Sequence, residues 1–176
     1  MAFIALPDIK DVDDYTRRVF VASKAITGEI SDTARILATR QDIMKMTNVM
    51  IRTLLVEETE LDHPTKEWIA IFVSLKNGCA VCVDEHKRIA KLLGITEEQI
   101  DKALADAKTA DFPEKRRMLL NFCLKITRDS YKVGREDLDA LRDVGYTDSQ
   151  LLEAAAIVGY FNYINTIANS MGSGRQ

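Results

Sequence analysis

The chain has 176 residues, 47% of them hydrophobic, with 24 basic and 27 acidic side chains and a net charge of −3. That length suits one domain with enough core to fold without staples. The interspersed, nearly balanced charge argues against a nucleic-acid surface, and an odd count of three cysteines argues against a secreted disulfide framework.

No stretch approaches ~20 uninterrupted apolar residues, so no membrane span is expected. The N-terminal MAFIALPDIK lacks a basic n-region and has too short an apolar run for a signal peptide. A cytoplasmic location is therefore expected. There, Cys-x-x-Cys points to catalysis or metal binding rather than to a structural bridge.

Met1 to Lys10 reads as an extended arm. Asp11 to Thr27 reads as a helix with Gly28 as its stop and Val19, Phe20, Ala22, Ser23 and Ile26 on its inner side. Ser31 or Asp32 can cap a short helix carrying Ile36, Leu37 and Ala38. Gln41 to Val56 reads as a longer helix, with a core stripe of Ile43, Met46, Met50, Ile51 and Leu54. Glu57 to His63 is an acidic loop, with His63 as a surface residue. Pro64 to Lys76 is a helix with proline in its first turn and an apolar middle, Trp68 to Val73, that must be buried.

Asn77-Gly78 is a helix stop, and a further helix runs from Cys79 to Leu93. Gly94 ends it. Thr96-Glu97-Glu98-Gln99 is a capping box opening a helix that ends near Lys108. Glu114 to Val133 is a long amphipathic helix in which Cys123 reads as a small buried apolar residue. Arg135 to Asp143 is short. Thr147-Asp148-Ser149-Gln150 is a second capping box, and the last helix runs from Asp148 to about Met171. Gly172 to Gln176 is expected to be a loose tail. No alternating strand pattern competes, so the expected fold is an all-α helical bundle.

The chemistry concentrates in EWIAIFVSLKNGCAVCVDEH, from Glu67 to His86. At 100° per residue, Cys79, Cys82, Val83, His86, Ile89, Ala90 and Leu93 share one helix face, with Asp84, Lys87, Arg88 and Lys91 opposite. Both thiols stand at a helix N-terminus, where free N–H groups and the dipole favour a thiolate. Cysteines three apart suit a disulfide, and Cys82 and His86 are i and i+4. A tight turn at Asn77-Gly78 would make an antiparallel hairpin in which residue numbers pair to sums near 153. Ser74 then faces Cys79, Ile71 faces Cys82, and Glu67 faces His86. A carboxylate beside an imidazole beside a thiol is what proton transfer at sulfur requires.

The pattern Glu67-x11-Cys79-x2-Cys82-x3-His86 resembles the signature of the alkylhydroperoxidase D-like, peroxidase-related branch of the carboxymuconolactone decarboxylase superfamily. VSLKNGCAVCVDEH, the following KLLGIT, the late GYFNYIN, the length and the all-helical reading are similar too. The resemblance implies an all-α fold assembled as a homotrimer or homohexamer. It implies thiol-dependent reduction of hydroperoxides with no cofactor or metal. The disulfide would be returned to the dithiol by an external dithiol, a thioredoxin-like or lipoyl reductant, or a peroxiredoxin partner. Carried over by position, Cys82 is the attacking thiol, Cys79 the resolving thiol, and Glu67 and His86 the relay. The best-known peroxidase of this kind has a histidine directly before its second cysteine. Here that position is Val81, which shortens the relay.

Other readings stand beside this one. Cys79 lies nearer the helix terminus and could attack first. Glu67 alone could serve the helix dipole, and His86 alone could be a core histidine. Two cysteines, a histidine and a carboxylate can bind zinc, but three ligands on one helix fit a closed tetrahedral site poorly. Lactone decarboxylation is not expected to need the dithiol. A protein disulfide reductase, adaptor or redox sensor would use the same residues. On the last helix, Asn162, Asn165 and Asn169 form a polar stripe, read as a solvated or interface face before substrate contacts. Tyr160 and Tyr163 could line a pocket. The helix from Pro64 and the last helix are both too apolar for lone surface positions, so one is expected in the core and the other at a subunit interface.

Overall fold

A computed structural model describes residues 2–105 and 111–174, apart from the side chains of 26 and 27. Among the described residues the fold is all-helical. In chain order the helices are α1 (Asp14–Thr27), α2 (Asp32–Ala38), α3 (Gln41–Ile51), α4 (His63–Lys76), α5 (Ala80–Leu92), α6 (Glu97–Ala105), α7 (Glu114–Asp129), α8 (Arg135–Asp143) and α9 (Asp148–Met171). Short 3-10 turns cover Ile9–Asp11 and Ser130–Lys132, and a π turn covers Arg52–Val56.

Local chemistry sets these limits. Asp13, Ser31 and Asp62 each accept an N–H bond at the start of α1, α2 and α4. Both capping boxes form: Thr96 with Gln99, and Thr147 with Gln150. The expected helix from Gln41 to Val56 winds into a π turn from Arg52, where Glu57 N–H reaches the Arg52 carbonyl. The α7 helix stops at Asp129 rather than Val133. The expected end of α6 near Lys108 lies outside the described residues, as does the Ile26 side chain.

The central element is α4. Every residue from Thr65 to Ser74 is buried, and α5, α7 and α9 pack around it. Trp68 meets Phe112 edge-on at 4.9 Å. Elsewhere α1 packs on α3 and α5, α2 on α3 and α9, α7 on α8 and α9, and α5 on α9.

The expected inner faces hold in part. On α1 Thr16 and the expected Phe20 are buried and Val19 packs on the core, whereas Ala22 is exposed. On α3 Ile43, Met50 and Ile51 pack on the core as expected, as does Leu54 beyond it, but the fully buried residues are Met44 and Thr47, and Met46 is 51% exposed. Thr47 donates back to the Ile43 carbonyl and shares a bond with the Tyr163 hydroxyl, so a polar residue takes the inner position that the sequence offered to methionine. Leu93 ends α5 at the surface, 40% exposed. His63 is the first residue of α4 and its Nε2 bonds the Val56 carbonyl at 3.0 Å, rather than standing in the loop.

A charged group sits inside this core. Lys66 is 0% exposed, and its ammonium bonds Glu57 O, Thr59 Oγ1 and Glu153 Oε1. Glu153 also accepts from the Thr59 hydroxyl and from the N–H groups of Glu60 and Leu61. The network ties the 57–62 loop to α4 and α9. Breaking a buried pair strands the remaining charge. Lys66→Ala is therefore expected to lower the unfolding free energy by about 3–5 kcal/mol, read from denaturant titration.

Candidate active site

The site begins with how α4 ends. Gly78 N–H bonds Leu75 O at 3.0 Å and Cys79 N–H bonds Ser74 O at 2.9 Å. These are the two bonds of a Schellman stop, and Gly78 takes the left-handed φ of +66° that it demands. The same turn makes Cys79 the N-cap residue of α5. Cys82 follows within the first turn, where the N–H groups have no helical partner.

The turn is clamped from outside. Asn77 Nδ2 donates to Asn162 Oδ1 at 2.8 Å and to Asn165 Oδ1 at 3.0 Å. Asn165 Nδ2 donates to Ser74 Oγ at 3.1 Å, and Asn169 Nδ2 to Asn77 O at 3.1 Å. The asparagine stripe of α9 thus turns towards the Asn77-Gly78 turn, with Asn162 and Asn169 half-buried. It binds the loop that carries the dithiol, and Asn165 is buried doing so. Sequence reasoning read Asn77 only as a helix stop. The available signal was a set of amides spaced three and four apart on an apolar helix.

Cys79 and Cys82 are joined as a disulfide and pack against Ala168 of α9. Cys79 is 0% exposed and Cys82 6%. One turn further along α5, His86 Nδ1 bonds Glu67 Oε2 at 2.7 Å. The hairpin therefore holds its expected pairing at both ends: Ser74 against Cys79 and Glu67 against His86. The Phe161 ring meets the imidazole edge-on at 4.9 Å and fixes its plane, a contact the sequence did not suggest. With Nδ1 engaged, Nε2 is the nitrogen turned away from the carboxylate.

Opposing effects act on His86. Burial is the largest and lowers its pKa. The Glu67 carboxylate, through charge and hydrogen bond, and Glu85 behind it, outweigh burial and hold it above the ordinary 6.5. The remaining cysteine is different. Cys123 is buried and free, and burial pushes its thiol up to about 12, so it stays protonated. Tyr160 is buried with its phenol raised by burial, and Tyr163 bonds Thr47. Val81, directly before Cys82, offers no proton carrier. Among the described residues no group of three His, Cys, Asp or Glu is placed to hold a metal ion.

The carboxymuconolactone decarboxylase family model matches residues 29–121, a segment that holds Glu67, Cys79, Cys82 and His86. The chain belongs to the carboxymuconolactone decarboxylase family. An uncharacterized protein of Bacillus subtilis (strain 168), YdfG, is 29% identical over 118 residues, covering 66% of this chain and 80% of that one. The alkylhydroperoxidase AhpD core of an uncharacterized peroxidase-related protein from Ralstonia eutropha JMP134 superposes with a TM-score of 0.91 at 26% identity, over 97% of this chain and 90% of that one. The debrominase Bmp8, solved in complex with 2,3,4-tribromopyrrole, superposes at 0.83 with 19% identity, over 99% of this chain and 91% of that one, a likeness of fold. This family member therefore has an AhpD-like fold with a Cys79–Cys82 pair, which supports a redox role.

A histidine raised by its partner gives stability that is complete below the unfolded-state pKa and lost as pH rises through the folded value. In the oxidised protein, His86 should titrate above 6.5 by NMR. Glu67→Gln removes the main raising effects and leaves burial, so the midpoint should fall below 6.5. A midpoint unmoved by the substitution would contradict the pairing.

Proposed function

We propose that this protein is a thiol-dependent peroxidase that reduces hydroperoxides through a Cys79–Cys82 dithiol–disulfide cycle. The observation that carries the reading is the 2.7 Å contact between Glu67 and His86, one helical turn from the more exposed member of a disulfide pair. The AhpD core of the peroxidase-related relative from Ralstonia eutropha supports it.

In the reduced state His86 takes the proton of Cys82, and Glu67 stabilises the resulting imidazolium. The Cys82 thiolate attacks the terminal peroxide oxygen. The O–O bond breaks, the leaving alkoxide takes the proton held by His86, and Cys82 becomes a sulfenic acid. The Cys79 thiol then attacks that sulfur and releases water, giving the disulfide. An external dithiol reduces the disulfide in two exchanges and leaves as its own disulfide. Low exposure of both sulfurs favours small partners, so a protein disulfide reductase or sensor role ranks second. Exposed Leu152, Val21, Met46 and Val49 support assembly of several copies, with α9 contributing to the interface.

Steady-state peroxide consumption with a small dithiol tests this proposal. Cys82→Ser should abolish turnover. Cys79→Ser should consume one equivalent of hydroperoxide and then stop at the sulfenic acid. Normal turnover in both variants would overturn the cycle.

A further inference from the structure

The last described residues are anchored, not the loose tail that their composition suggests. After Met171, Gly172 takes a left-handed φ of +77° and Ser173 N–H returns to Ala168 O at 2.9 Å. Ser173 is buried, and its hydroxyl shares a 2.8 Å hydrogen bond with Thr33 Oγ1 on α2. Gly174 N–H reaches Asp32 Oδ2 at 3.4 Å. The N-terminal arm adds a fourth tie, because Phe3 N–H donates to Met171 O at 2.9 Å and the Phe3 ring lies on Gly172.

The destination of this segment matters. A Cβ on Gly174 would stand 3.0 Å from Val81 Cβ, so Gly174 and Val81 are in contact. Val81 precedes Cys82 and packs on the cluster of Cys79, Cys82 and Ala168. The carbonyl that receives Ser173 belongs to the same Ala168. The 172–174 segment therefore links α2 to Val81 in the first turn of α5, the residue that packs on the Cys79–Cys82 cluster.

We propose that Gly172–Gly174 is a size-selecting cap over the first turn of α5, which lets compact hydroperoxides and slender dithiols reach Cys82 and turns away bulky arylalkyl hydroperoxides and protein disulfides. The substrate class rests on the peroxidase reading, whereas the obstruction does not. The cap also accounts for Val81, whose small apolar side chain fits against Gly174.

The test uses reduced protein, either intact or ending at Met171. Alkylation of Cys79 and Cys82 is timed by peptide mass with iodoacetamide and with N-(1-pyrenyl)maleimide. Oxidation is timed with hydrogen peroxide and with cumene hydroperoxide. The shortened chain should react about tenfold or more faster with the two bulky reagents and less than about threefold faster with the two small ones. A milder pair of substitutions, Thr33→Val with Ser173→Ala, keeps the volume and removes the hydroxyl bond. It should shift the bulky-to-small ratio the same way by about threefold. An unchanged ratio in a folded variant, or an equal rise for both sizes, overturns the cap. If the shortened chain does not fold, the paired substitutions decide by the same ratio. If the intact protein reacts with neither hydroperoxide, the peroxidase reading fails, and the alkylation ratio still decides the cap.

Discussion

The side chain of Asn77 is the constraint on which the site depends. It sits at the end of the central helix and is gripped by Asn162 and Asn165, while the Asn77 backbone carbonyl is held by Asn169. Asn165 completes the ring of bonds by donating to Ser74, whose carbonyl receives the N–H of Cys79. Position thus passes from α9 to the turn, from the turn to Cys79, and from Cys79 to the whole of α5. A buried amide left without its partner costs about 1–3 kcal/mol, which gives the clamp its stiffness.

The central helix separates two charged residues that are adjacent in sequence. Lys66 and Glu67 lie about 100° apart around α4, so they face different neighbours. The Lys66 ammonium has three partners, which use all its donors, and its role is structural. Glu67 instead meets a histidine that keeps a second ring nitrogen and is 12% exposed. One buried charge is saturated and the other is linked to a group able to carry a proton. That difference is why the proposed proton relay uses Glu67 and His86 rather than Lys66 and Glu153.

Much of this was legible in the sequence. The helical phase of Cys79, Cys82 and His86, the Asn77-Gly78 stop and the proline before Glu67 are local signals. Together they gave the hairpin and its pairing. The capping boxes at Thr96 and Thr147 were legible for the same reason. What was not legible is long-range. The asparagines of α9 meet Asn77 across 85 to 92 residues. Lys66 meets Glu153 from the far end of the chain, and Ser173 meets Thr33 across 140 residues. Composition called the tail loose, and side-chain type placed Met46 inside. Tertiary hydrogen bonds reversed both, because Ser173 and Thr47 found partners there.

The most direct measurement is the equilibrium of the Cys79–Cys82 couple with glutathione buffers, acid-trapped and read by mass, for the intact protein and Asn77→Ala. A clamp that holds Cys79 ready for Cys82 favours ring closure. Its removal should lower the equilibrium constant for the disulfide about tenfold, or about 30 mV for this two-electron couple. A couple unchanged within about twofold in a folded Asn77→Ala protein would contradict the account, because the dithiol would then owe nothing to the clamp.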